Sequence, residues 1–213
     1  MKFSYDIAAT YLDNFERGPQ LGLTPAIPAT EPVDFLDQKV NSRLGIAAGL
    51  LLNAKWIEGY AARGWDLLTY KTVRSSAREC YPPPNWAFVN ADDGVGPVYA
   101  MDDLPQDPST VSSAVCFGMP SMPPEFWRED IARAKEVMKE GQMLIVSVVA
   151  SPESGWSSSQ VADDYAQCAA WAVEAGADVI EANYSCPNVC SAEGQVYCDA
   201  SLSEYVTQTI RSG

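Results

Sequence analysis

Histidine is absent from the 213 residues of this chain. That removes Ser-His-Asp triads, Cys-His dyads and most zinc enzymes at one stroke, and leaves any acid–base chemistry to Cys, Lys, Tyr or carboxylates. Basic residues are scarce: 14 Lys and Arg stand against 28 Asp and Glu, a net charge of −14. A nucleic-acid partner needs a basic stripe to displace counterions, so nucleic acid is excluded as a main partner, and an anionic membrane surface with it. No stretch approaches the ~18 consecutive apolar residues of a membrane span. The start, Met1-Lys-Phe-Ser-Tyr-Asp6, has neither the apolar core nor the cleavage pattern of a secretory leader. Six cysteines without such a leader read as reduced thiols, and a cytoplasmic location is expected. No repeat or low-complexity tract suggests an array.

What is present is ordinary globular composition, 47% hydrophobic and 20% charged, arranged in alternating strand and helix patterns. Residues 5–16 carry Ile7, Ala8, Tyr11, Leu12 and Phe15 at helical spacing, stopped by Gly18-Pro19. Pro25, Pro28 and Pro32 mark an irregular crossing before a first core strand over 44–49. Asn53 starts a helix with Trp56, Ile57, Tyr60 and Ala61 inward and Gly64 as its stop. A second strand covers 66–72, with Leu67, Thr69 and Lys71 on one parity and Leu68 and Tyr70 on the other. Residues 75–123, rich in Pro, form an inserted loop and hairpin region whose best strand is 114–117. A helix over 125–139, an apolar strand over 143–149, an Ala-rich helix over 159–175, a strand from Asp178 and a helix from about Ser201 to Ile210 complete the chain.

Four strand-then-helix units argue for a parallel α/β fold. Polar residues gathered at strand carboxyl ends argue for a TIM (β/α)8 barrel, whose sites lie on that rim. A full barrel takes eight units and ~250 residues. Residues 1–213 are therefore expected to form the N-terminal part of one barrel domain, its C-terminal half absent.

The most informative stretch is Asp178-Val-Ile-Glu-Ala-Asn-Tyr-Ser-Cys-Pro-Asn-Val189. Its strand parity groups Glu181, Asn183 and Ser185 on one face, followed by Cys186 in a Pro-bent turn between Asn183 and Asn188. A lone Cys is usually a small buried hydrophobe, but this one lies among polar groups at a strand end. The segment resembles the active site of the dihydroorotate dehydrogenase family, FMN-dependent enzymes of pyrimidine synthesis. Its nearest likeness is the soluble kind, whose base is a Cys at the place of Cys186. Dihydropyrimidine dehydrogenases share the Asn-x-Ser-Cys-Pro core.

The resemblance implies that Cys186 takes a proton from the substrate while hydride passes to FMN, and that Asn183 and Asn188 hold the substrate. Thr69-Tyr-Lys-Thr72 matches a strand end whose Lys contacts flavin and substrate, a role that falls to Lys71, with Thr72 in support. Asn183 also falls in the cofactor set. Ala47-Ala48-Gly49 matches small residues that let backbone approach the isoalloxazine. Phe117-Gly118-Met119-Pro120 resembles a substrate loop, giving Gly118 and Met119 a place at the substrate. There the family's Asn falls on Val115 and its Ser on Cys116. Tyr81-Pro-Pro-Pro-Asn85 matches a Pro-rich signature whose final Arg is Asn85 here.

A small pyrimidine-like substrate is implied, with a homodimer or an electron-transfer partner. Two alternatives stay open: a related flavin enzyme acting on another pyrimidine-like ring, motivated by Val115, and a non-catalytic half-barrel. No metal site is expected. Cys186, Cys190 and Cys198 match no common cluster spacing, and the pairs Asp102-Asp103 and Asp163-Asp164 read as solvated faces.

Overall fold

The computed structural model describes residues 3–91, 96–101, 107–186 and 192–213. Its centre is a four-stranded parallel sheet of β3 (Gly45–Ile46), β4 (Leu67–Val73), β8 (Met143–Val148) and β9 (Val179–Ala182), side by side in that order. Between successive strands run α2 (Ala54–Ala61), α3 (Pro124–Glu136) and α4 (Ser158–Glu174). Strands adjacent in sequence are adjacent in space, with no reversal of order. That is the winding of a barrel wall rather than of a doubly wound sheet, where a switch in order makes the crevice. After β9 comes α5 (Ala200–Ser212), which packs on α4 and buries Val206.

The two faces of the sheet bury different things. Leu68, Tyr70, Leu144, Val146 and Val148 point to the helices and meet Trp56, Ile57, Trp127, Ile131 and Ala172 in the main core. Each large apolar side chain so buried contributes about 1.5–3 kcal/mol. On the other parity Leu67, Met143, Ile145 and Val179 close the amino end of the sheet, packed against Val33, Phe35 and Val40. Those last three belong to an antiparallel hairpin, β1 (Val33–Phe35) and β2 (Gln38–Val40). Higher on this face stand Thr69, Ser147 and Glu181, and then the strand ends. The inner face thus grades from an apolar plug to a polar rim.

Helix starts follow local chemistry. Asn53 caps α2 by accepting from Lys55 N at 3.1 Å and donates its own amide to Phe15 O at 2.6 Å. Ser157 and Gln160 form a reciprocal capping box at α4. Asp130 of α3 accepts from Tyr70 Oη and from Ala54 N, both at 2.7 Å, and so ties β4 and two helices together.

The first helix, α1 (Tyr11–Arg17), is shorter than the expected 5–16. Thr10 and Asp13 make a capping box, so the chain cannot be helical before residue 10, and Ile7 is left at the surface. Residues 33–40, within the expected irregular crossing, form a hairpin; its tight turn uses Leu36 and Asp37, both at positive φ, without the Asn-Gly signal such turns usually carry. The inserted region is a three-stranded antiparallel sheet of β5 (Trp86–Asn90), β6 (Tyr99–Ala100) and β7 (Ser112–Val115), in the order β6-β5-β7. Its aromatic side anchors the N-terminal segment: Tyr5 lies 5.2 Å from Trp86 and 5.6 Å from Phe117, ring centre to ring centre.

Candidate active site

Because the central strands are parallel, all their carboxyl ends fall on one rim. β4 delivers more to it than simple alternation allows. Tyr70 pairs with Val146 and Val73 with Val148, so Lys71 and Thr72 together face the single residue Ser147. This bulge turns both side chains of the Lys71-Thr72 pair towards the rim, where strict alternation would have sent one to the helices.

Thr72 Oγ1 lies 2.9 Å from Ser147 Oγ and accepts from Asn183 Nδ2 at 3.0 Å. Asn183 Oδ1 accepts from Ser185 N at 3.1 Å, which fixes the carboxamide's orientation, since a backbone N–H can only donate. The Thr72 hydroxyl, having accepted from Asn183, is then free to donate to Ser147. Asn183 Nδ2 also lies 3.8 Å from Met119 Sδ, and Asn183 O accepts from Tyr165 Oη at 2.7 Å. One carboxamide therefore joins β4, the Met119 loop and the turn that carries Cys186.

Lys71 is buried, and burial pushes its ammonium down to about 8; Cys186 and Cys80 within electrostatic reach pull it back up, while Arg74 pushes it further down. At neutral pH the charged form still predominates. Its backbone N donates to Leu51 O at 2.9 Å, which brings the segment after β3 alongside. There Ala47 is exposed and Ala48 and Gly49 are half-buried. Gly49 has φ +139 and no atom within 4 Å of where a Cβ would sit. Cys186 is half-buried and within electrostatic reach of Lys71.

Gly118 and Met119 are both in the left-handed region, φ +75 and +52. At Gly118 a Cβ would stand 2.7 Å from the Tyr81 ring, so only glycine fits. Val115 ends β7 on the outer sheet and is 46% exposed, away from the Asn183 network. Asn188 lies outside the described residues, as do Cys190 and the pair Asp102-Asp103. Asp164 is no solvated-face residue: its carboxylate accepts from Ser75 Oγ at 2.9 Å and Ser151 N at 2.7 Å, lacing two rim loops together. A cavity of about 750 Å³ is lined by Tyr11, Cys80, Tyr81 and Met122, and does not take in Lys71 or Cys186. Among the described residues no cluster of Cys, Asp or Glu could hold a metal, and no helix is long and apolar enough to cross a membrane.

Two members of the rim were not singled out from sequence. Ser147 was there to be found, a lone hydroxyl inside the apolar run 143–149. Arg74, directly after the strand, gave no local signal.

Small residues on one strand end, a cation and a hydroxyl on the next, and an amide and a thiol two strands on define a rim site of the barrel kind. No family model matches the chain. A curated dihydroorotate dehydrogenase of Dictyostelium discoideum is 33% identical over 221 aligned positions, covering 97% of this chain. Among solved structures, the dihydroorotate dehydrogenase of Eimeria tenella, crystallised with ferulenol, superposes with a TM-score of 0.61 at 13% identity, over 85% of this chain and 43% of that one. That second likeness speaks to the fold, which is α/β of the TIM-barrel type. Over nearly its whole length the chain is homologous to that curated dihydroorotate dehydrogenase, and it spans 59% of the relative's length.

Proposed function

We propose that residues 1–213 supply the first four βα units, with 75–123 inserted, of an FMN-dependent oxidoreductase that converts dihydroorotate to orotate in pyrimidine synthesis. The observation that carries this is the convergence of Lys71, Thr72, Asn183 and Cys186 at the carboxyl ends of β4 and β9, which flank β8, in a chain homologous to a dihydroorotate dehydrogenase. The residues suit a flavin. Ala47, Ala48 and Gly49 offer an open backbone edge to a flat ring, Lys71 and Thr72 offer a charge and a hydroxyl, and Asn183 offers an amide. FMN, when bound, supplies the two-electron acceptor for the hydride.

The chain's own residues handle the rest. Cys186 Sγ, as thiolate, takes the proton from the carbon next to the one that loses hydride, leaving the new double bond. The Lys71 ammonium provides positive charge within reach of that sulfur and of an anionic substrate. Gly118 and Met119 form a wall of the substrate pocket. In a chain with net charge −14, the grouping of Lys71, Arg74 and Arg78 within eight residues favours a carboxylate-bearing ligand.

The test is anaerobic. Dihydroorotate should bleach the flavin of the intact protein, and Cys186→Ala should slow bleaching by about 10²–10⁴-fold. A wild-type flavin that stays oxidised refutes the substrate. The aliphatic side chain of Val115 cannot hydrogen-bond where the resemblance places an Asn, so bleaching by dihydrouracil instead would favour another dihydropyrimidine ring.

A further inference from the structure

Arg74 is 1% exposed, yet it sits immediately beyond β4, where the chain turns out over the rim. Its Nε donates to Met119 O at 3.1 Å and its Nη1 to Ala150 O at 2.7 Å. Its backbone N donates to Ser121 Oγ at 3.1 Å, and its carbonyl accepts from Trp127 Nε1 at 3.0 Å. One residue thus fastens the loop after β4, the 118–121 loop, the loop after β8 and α3.

The segment it holds is the left-handed pair Gly118-Met119. A methionine at φ +52 persists only where its surroundings enforce it. Here the enforcement comes from the Arg74 Nε donation to Met119 O and from the Arg78–Ser121 bridge beside it. The Met119 side chain in turn reaches Asn183. A buried cation is a costly way to gain stability alone, since apolar packing often does as well. A planar fork, however, carries donors on separate nitrogens in fixed directions and so reaches two carbonyls of different loops, a spacing that a lysine's single compact nitrogen does not reproduce.

We propose that Arg74 is a positioning residue of this site: it clamps the Gly118–Met119 turn to the loop after β8 and so sets Met119 as the substrate-pocket wall beside Asn183. The kinetic consequence rests on the flavin reading above, whereas the clamp is a property of the chain itself. Arg74 also stands among the charges that act on Lys71, so its loss alters the pocket's electrostatics as well as its shape.

The experiment has two arms on the full-length protein. In the first, hydrogen exchange is followed at the Gly118, Met119 and Ser121 amides. Arg74→Lys should speed it about tenfold or more if the clamp holds the turn; unchanged exchange overturns the clamp. In the second, Arg74→Lys, Met119→Ala and the double variant are compared for flavin content, kcat and KM with dihydroorotate. Arg74→Lys should raise KM about tenfold with flavin content retained, and should add nothing further once Met119 is Ala. Additive effects, or a loss confined to flavin content or kcat, overturn the positioning role. If the wild-type flavin is not reduced by dihydroorotate at all, the substrate reading fails, and the exchange arm still decides the clamp.

Discussion

Replacing Asn183 with Leu keeps the side chain's volume and deletes its hydrogen bonding. Three polar contacts go: the donation to Thr72 Oγ1 at 3.0 Å, the weak contact with Met119 Sδ at 3.8 Å and the acceptance from Ser185 N at 3.1 Å. Thr72 keeps Ser147 as a partner at 2.9 Å, and the exposed Ser185 N–H can turn to water. Neither group is left stranded, so the stability loss should be only about 1–2 kcal/mol. The loss of activity should be larger. Cys186 follows Ser185 directly, and without the Asn183 tie its sulfur is no longer held against the strand end. A displacement of about 1 Å at a reacting group costs on the order of 100-fold in rate. Urea unfolding measures the first quantity, and anaerobic flavin bleaching by dihydroorotate the second. Thr72→Val is the control, since it removes the same cross-strand bond and spares the Ser185 turn. Because it also strips the buried Ser147 hydroxyl of its partner, it should cost more stability than Asn183→Leu and still exceed it in rate. An Asn183→Leu protein bleached within about threefold of wild type would refute the claim that this carboxamide places Cys186.

Two further outcomes follow from the same geometry. Lys71 has its ammonium lowered from 10.5 to about 8 by burial, so between those values the unfolded chain binds the extra proton. Stability should therefore rise as pH climbs from about 8 towards 10.5, and Lys71→Met should remove that increment, as thermal unfolding of flavin-free protein across this window would show. Gly118→Ala meets both a left-handed backbone and the Tyr81 ring at 2.7 Å, and should cost about 1–3 kcal/mol in thermal unfolding. Adding Tyr81→Ala should relieve the clash and leave the backbone cost in place.

Much of the architecture was legible because it repeats local chemistry. Asn53, with Trp56, Ile57 and Ala61 behind it, reads as a capped amphipathic helix, and it is one. The apolar run at 143–149 reads as a strand covered on both faces, and six of its residues form β8. The hairpin at 33–40 was not legible, because Leu36 and Asp37 adopt positive φ under tertiary constraint rather than by propensity. The start of α1, at Tyr11 rather than residue 5, departs from the sequence pattern for the opposite reason. A sustained hydrophobic pattern from Ile7 to Phe15 concealed a local stop signal, the Thr10–Asp13 capping box.

The site divides along the same line. The segment from Asn183 to Cys186 carries its chemistry in sequence order, so strand parity could place an amide and a thiol at a strand end and the family resemblance could single them out. Lys71 and Thr72 could be named from their motif, but strand alternation allows only one of two consecutive residues to face the barrel interior. Both do so because a bulge pairs them with Ser147, and a bulge is a property of two strands together. The roles of Ser147 and Arg74 arise likewise only when β4, β8 and the 118–121 loop are side by side. Composition, period and motif are local and survive in one dimension; hydrogen-bond partners 45 to 111 residues apart exist only once the chain has closed.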